Sequence, residues 1–478
     1  MFHNHSKKIR RSANNGKNGF WPKASALFVA VASLLGVGAA QACTTYYVST
    51  AGNDNNPGTS SAAPKLSIYQ AIKNAAPCDT VYVGGGVYNQ LNIYVAKSGT
   101  PGNPIRIMPD PSNTQPVIVD AAGLNPGDWD SVFNLAGQYI ELSGFELRNA
   151  GMGVLVQGAN SKVSNMKIHD MMQQGIMARG DYSVIEGNTV YLNSLRQRKL
   201  LASGGWACGI LAYGANHQVA KHVVVRGNTA YDNYGEGINT TNVDGTLIEN
   251  NIVYDNYGAN TYISNSVNVI FRNNLVYNTP NNVVGRRASV FTISDEESDL
   301  LASLNNYVVD NMFRNGDLQA FSWTLVPGHG LSGTLISNNT LVNGTLKTGP
   351  INQASTIQNN IFFTDNGTVL ASIPTRSGLT MNNNLWSAPP TDPDAVGKGD
   401  VVGNPKLALT GLTGPGQLTA AYFAYPATSI AMNKGASILY VNDDYLISNQ
   451  SAALNIGAYP AAEPPIKYSG GLAATTIK

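Results

Sequence analysis

Gly227-Asn228-Thr229-Ala230-Tyr231, Asn250-Asn251-Ile252-Val253-Tyr254 and Asn273-Asn274-Leu275-Val276-Tyr277 repeat one five-residue unit at an interval of 23 residues. The unit is a turn pair, Gly-Asn or Asn-Asn, followed by a short apolar and β-branched run. It extends upstream to Gly187-Asn188-Thr189-Val190-Tyr191 and Ser164-Asn165-Met166-Lys167-Ile168. Downstream it returns as Asn338-Asn339-Thr340-Leu341-Val342 and Asn359-Asn360-Ile361-Phe362-Phe363. Counted on the second asparagine, the steps 165 to 188, 228, 251 and 274 are 23, 40, 23 and 23 residues.

A constant step implies constant geometry. Three short strands joined by turns make one coil, and the next coil stacks about 4.8 Å above it in parallel register. Asparagine tolerates the left-handed backbone of a tight turn, and stacked asparagine amides can hydrogen-bond up the stack. A leucine-rich repeat would have a similar period but a regular leucine pattern, which is absent here. The pattern predicts an all-β, right-handed parallel β-helix, a solenoid of coils of about 22 residues.

A second element recurs between the turns: Gly153-Val154-Leu155-Val156-Gln157-Gly158, Gly175-Ile176-Met177-Ala178-Arg179-Gly180, Gly209-Ile210-Leu211-Ala212-Tyr213-Gly214 and Gly237-Ile238-Asn239-Thr240-Thr241. Strand alternation sends Val154, Ile176, Ile210 and Ile238 inward. The outward rows are then Leu155/Met177/Leu211/Asn239 and Gln157/Arg179/Tyr213/Thr241.

The ends complete the layout. Residues 1–42 read as an export signal: Lys7, Lys8, Arg10, Arg11, Lys17 and Lys23 precede an apolar run from Ala24 to Ala40 and a small-residue cleavage pattern at Ala40-Gln41-Ala42. Residues 43–125 form the N-terminal cap and first coils, with an amphipathic helix expected between Leu66 and Ala76. Regular coils span 126–390, and 391–478 hold the C-terminal coils, a cap and a loose tail.

Charge narrows the function classes. Six of the 30 basic residues and none of the 29 acidic ones lie in the signal, so the remaining 436 residues carry a net charge of −5. With 12% charged residues and no basic tract, nucleic acid is not an expected partner. No later run is apolar enough for a membrane span. A secreted, extracellular or periplasmic monomer is expected. In an oxidising compartment Cys43 and Cys78 can pair, leaving Cys208 odd; three unpaired thiols are the alternative.

The N-terminal motifs Tyr46-Tyr47-Val48-Ser49, Gly52-Asn53-Asp54-Asn55-Asn56-Pro57-Gly58-Thr59, Cys78-Asp79-Thr80-Val81-Tyr82-Val83 and Gly86-Val87-Tyr88 resemble the opening of bacterial β-helix proteins related to polysaccharide lyase family 9. The resemblance implies a pectate-lyase-like fold and export towards polysaccharide. It also implies an aspartate cluster for calcium, yet no adjacent Asp-Asp pair stands on the candidate strands. Carbonyls and scattered carboxylates keep calcium open as a cofactor, with no metal ligand assigned.

Insertions point to the site. The 40-residue step adds Leu192–Ala207 before the strand at Gly209 and Ala215–Lys221 after it, loops that would wall a cleft over one coil. They supply Arg196, Arg198, Lys199, Trp206, His217 and Lys221 beside Arg179, Tyr213, Glu236 and Asn239. The step from Asn274 to Asn311 is also long and brings Arg286, Arg287, Asp295, Glu296 and Glu297. Such a cationic and aromatic patch suits an acidic sugar chain, because arginine pairs carboxylates bidentately.

β-Elimination on a uronic acid needs the C6 carboxylate neutralised, the C5 proton removed and the leaving oxygen protonated. Arg179 stays charged and is assigned as neutraliser, Lys199 as base, and Tyr213 or His217 as proton donor. Glu236 either orients a cation or closes the turn before Gly237. Arg196, Arg198, Trp206, Lys221, Asn239, Arg286 and Arg287 are assigned to substrate binding. The alternatives are a non-catalytic glycan-binding or matrix β-helix, and a glycoside hydrolase or epimerase. Hydrolysis needs two facing carboxyl groups, and in the sequence Glu236 has no obvious partner. Gly328-His329-Gly330 resembles a polygalacturonase motif whose paired aspartates have no counterpart here.

Overall fold

The computed structural model describes residues 42–200, 207–280, 284, 288–437 and 454–458, apart from the side chains of Lys199 and Leu200. The expected export signal therefore lies outside the described residues, save Ala42. No described helix is long and apolar enough to cross a membrane.

From Cys43 onward the chain winds into a parallel β-helix. Each central coil contributes a strand to each of three parallel sheets, which have 13, 13 and 11 strands among the described residues. In one coil Lys162–Ser164 lies in the first sheet, Lys167–His169 in the second and Ile176–Ala178 in the third. The third sheet pairs as the alternation requires: Val154 with Ile176, Ile176 with Ile210 and Ile210 with Ile238. All four side chains are fully buried in one continuous core. Burying each such side chain stabilises the fold by about 1.5–3 kcal/mol relative to leaving it in water. The glycines opening these strands are needed for close approach, since a Cβ on Gly175 would sit 2.5 Å from Val190 Cγ1.

The two turn positions divide their work. The first takes the left-handed backbone: φ is 67° at Gly187, 62° at Gly227, 56° at Asn250 and 54° at Asn273. The second builds a ladder, in which Asn188, Asn228, Asn251, Asn274, Asn311, Asn339 and Asn360 each donate a side-chain N–H to the next amide oxygen, ending on Asn384, over 2.9–3.0 Å. This corrects one step of the expected period. Asn165, at φ 54°, occupies the first position, and Met166 takes the ladder position, donating its backbone N–H to Asn188 Oδ1 at 2.9 Å. That coil is 22 residues, as is the Val154-to-Ile176 step. A second ladder, invisible in the repeat, runs Asn193–Asn233–Asn256–Asn260–Asn278.

The N-terminal end of the core is covered. A helix at Ile68–Ile72, shorter than the expected 66–76, buries Ile68, Ala71 and Ile72, and Ser67 Oγ caps it by accepting from Gln70 N. Cys43 and Cys78 form a disulfide, and Cys208 is free and buried. On the outer face of the second sheet Tyr191, Tyr231, Tyr254 and Tyr277 stack face to face at 4.9–5.0 Å. Leu407, Leu418, Tyr422 and Phe423 from the C-terminal segment pack over its upper end.

Candidate active site

The outward row that begins Leu155, Met177, Leu211, Asn239 continues through Tyr262, Thr292, Gln319 and Lys347, one residue per coil. It forms the floor of a groove on the third sheet. Two adjoining clefts, of about 680 and 570 Å³, share Glu236, Tyr262 and Glu296. The first runs from Trp129 and Gln174 past Arg179, Tyr213 and His217 to those shared residues. The second continues from them to Ser289, Thr292, Gln319 and Trp323.

Arg179 is held in place. Its Nε donates to Met177 Sδ at 3.1 Å and its guanidinium carbon lies 5.3 Å from the Tyr213 ring centre. His217 is an exposed wall residue facing Asp299 at 3.5 Å. Asn239 is buried in the floor and accepts from Thr241 Oγ1 at 3.1 Å. Glu236 opens the strand Glu236–Thr241 beside Cys208, whose thiol donates to Glu236 Oε2 at 3.3 Å. Its backbone pairs with Cys208 in the sheet, directly after the bend at Tyr234 and Gly235. Burial, and then the charge of Glu236, push the Cys208 thiol far above the usual range.

The centre belongs to Tyr262. Its hydroxyl donates to Glu296 Oε1 at 2.8 Å, and burial, with Glu296 next, raises its pKa so that it stays protonated. Glu236 contributes to the same shift. Glu236 and Glu296 thus both border Tyr262, where the sequence alone places Glu236 without an acidic neighbour. Asp295, beside it, is buried and accepts from Ser303 Oγ at 2.6 Å, bonds His329 Nδ1 at 2.7 Å, and through its backbone oxygen accepts from Thr324 Oγ1 at 2.8 Å. Asn265 Oδ1 receives the backbone N–H groups of Glu296 and Glu297.

The remaining assigned residues sit apart from these clefts or outside the description. Arg196 pairs with Asp128 at 3.4 Å, and Arg198 lies over Tyr234 at 5.1 Å. Lys221 is exposed on a side strand paired with Val243–Asp244. None of the three lines either cleft. Lys199 belongs to the helix Leu195–Leu200 with its side chain undescribed, and Trp206, Arg286 and Arg287 lie outside the described residues. The sequence reading missed Tyr262, Trp129, Gln319 and Trp323. For Tyr262 the signal was available: it is Asn239 plus one 23-residue coil.

Calcium fits this site poorly. Among the described residues no group of three or more His, Cys, Asp or Glu side chains forms a metal cage, and the central carboxylates bond a thiol and a phenol.

Residues 46–268 match the family described as Pel9A-like, right-handed β-helix region. Among solved structures, the chain is similar to pectate lyase Pel9A, with 18% identity, TM-score 0.51, and 87% of this chain and 96% of that one covered. It is also similar to XylC in complex with xylose, at 13% identity and TM-score 0.49, covering 76% and 87% of the two chains. A rhamnogalacturonan lyase matches at 20% identity and TM-score 0.48, covering 71% and 87%. No curated protein matches. The family match and the likeness to Pel9A establish the right-handed parallel β-helix fold.

Proposed function

We propose that the protein binds an acidic polysaccharide along the third-sheet groove and cleaves it by β-elimination. The observation that carries this reading is that Arg179, pinned between Met177 and Tyr213, lines the same cleft as His217, Glu236 and Tyr262. A guanidinium fixed on an aromatic face is arranged to take a carboxylate through its planar donors, with little ordering left to do on binding. Neutralising the C6 carboxylate acidifies the C5 proton. Lys199 takes that proton, the C–H electrons form the C4–C5 double bond, the C4–O bond breaks, and Tyr213 donates the proton the leaving oxygen requires. His217 is the alternative donor.

A second reading is favoured by one specific feature. Glu236 and Glu296 both border Tyr262 at the junction of the two clefts. Two carboxyl groups on one groove are what glycoside hydrolysis uses.

Export follows the same reading, since polymeric substrates of this kind lie outside the cell. The test is a panel of pectate, alginate and glycosaminoglycans, followed both by absorbance near 235 nm, about where unsaturated uronates absorb, and by new reducing ends. Both signals rising together support elimination. Reducing ends alone support hydrolysis, and binding without either leaves a glycan-binding module.

A further inference from the structure

We propose that the two sides of Tyr262 recognise different sugars: an acidic residue on the Arg179 side and an uncharged one on the Trp323 side. The natural substrate is then a heteropolysaccharide carrying both. The inference rests on the groove holding a sugar chain, as in the reading above.

The floor row rises one residue per coil, so successive sugars of a chain lying along it meet successive floor residues. Below Tyr262 the first cleft offers Arg179, held over Tyr213, and His217, which faces Asp299 at 3.5 Å, along with the carboxylates of Glu236, Glu296 and Glu297; Arg179 is its one guanidinium among the described lining residues. Above it, the described residues lining the second cleft include no Arg, Lys or His. What they supply instead is a hydrogen-bonded run across two coils. Ser289 Oγ meets Thr292 Oγ1 at 2.7 Å, Thr292 Oγ1 donates to Gln319 Oε1 at 3.4 Å, and Trp323 Nε1 donates to the same oxygen at 3.2 Å.

Trp323 is 39% exposed and tilted against Tyr262, with ring centres 6.0 Å apart, so ring surface stays open at the end of this run. Its loop is fixed: Ser294 Oγ donates to Trp323 O at 2.5 Å, Thr324 bonds the Asp295 backbone, and His329 bonds the Asp295 carboxylate. The Gly328-His329-Gly330 motif thus pins an aromatic platform. An indole face beside hydroxyl and amide groups takes the C–H face and hydroxyls of a neutral sugar, and among the described residues this lining holds no cation to pair with a uronate.

The experiment measures binding of uncharged hexasaccharides (gluco-, galacto-, manno- and xylo-series) and acidic ones (galacturonate and mannuronate) by calorimetry to the wild type, W323A, W323F and R179A. At least one uncharged hexasaccharide is expected to bind, to lose about tenfold or more in affinity with W323A, and to be unaffected by R179A. W323F, which keeps a ring, retains most of that binding and controls for folding. Acidic hexasaccharides are expected to weaken with R179A and not with W323A. The inference is overturned if no uncharged hexasaccharide binds, or if W323A and R179A weaken the same ligands equally. These outcomes are read whether or not any polymer is cleaved, so a failure of cleavage alone counts against the proposed reaction and not against the split in recognition.

Discussion

The guanidinium carbon of Arg179 lies 5.3 Å from the centre of the Tyr213 ring, and the two residues come from successive coils. Stacking in register is what makes them neighbours despite a separation of 34 positions in the chain. The fold therefore positions chemistry by rows, and a substitution in a row can be read against its neighbours above and below.

Removing the cation at this row should be costly for catalysis. R179A is expected to lower kcat/KM on the acidic substrate by about a hundredfold or more, with R179K only partly restoring it because lysine lacks the planar fork. Steady-state kinetics on the three proteins check this; equal activity of R179A and wild type would remove Arg179 from the site.

The asparagine ladder should be a major source of stability. Asn251 is buried, takes the side-chain N–H of Asn228 and donates to Asn274. N251A leaves both neighbours short of a partner and is expected to cost about 2–4 kcal/mol. Chemical denaturation monitored by circular dichroism gives the difference directly.

Arg272 and Glu249 form an ion pair at 2.7 Å with side chains 5% and 9% exposed. E249A removes two hydrogen bonds and the counter-charge from a buried guanidinium and is expected to cost about 3–5 kcal/mol. The double substitution E249L/R272L should be milder than either single change, which a double-mutant cycle measures.

Acid sensitivity should trace partly to Asp120. Burial alone would raise its pKa, but hydrogen bonds from Asn149, the Ala122 N–H and Arg148 outweigh it and hold the carboxyl below its ordinary value. A folded pKa lower than the unfolded one means this stabilisation is fully present above the unfolded value and is lost as pH falls through the folded one. D120N is therefore expected to flatten the decline in unfolding free energy below about pH 4, measured by denaturation at a series of pH values. An unchanged pH profile would show that Asp120 does not carry the effect.

How far the sequence spoke depends on distance along the repeat. The rows from Val154 to Ile238 and from Leu155 to Asn239 follow from alternation and a regular step, and the pairing reproduces them. The Asn165 register slipped because a serine-asparagine pair resembles the asparagine pairs while sitting one position earlier in its coil. The Glu296–Tyr262 bond was not legible, since the 37-residue step from Asn274 to Asn311 carries Glu296 on a loop whose path no period dictates. The same holds for Trp129 and Trp323, which lie outside any strand. Arg196 and Arg198 looked like cleft residues from their place in an insertion. Their partners, Asp128 and Tyr234, depend on how the helix Leu195–Leu200 lies across the coil, which spacing alone does not encode.

The reaction itself is tested most directly by digesting a uronate-containing polymer in water enriched in heavy oxygen and weighing the products. Elimination predicts that each cut adds no water to the summed fragment masses and leaves one unsaturated terminal residue on the downstream fragment, with no heavy oxygen beyond the slow exchange that any free reducing end undergoes. One heavy water added per cut with saturated new ends, or an intact polymer after prolonged incubation, would contradict it.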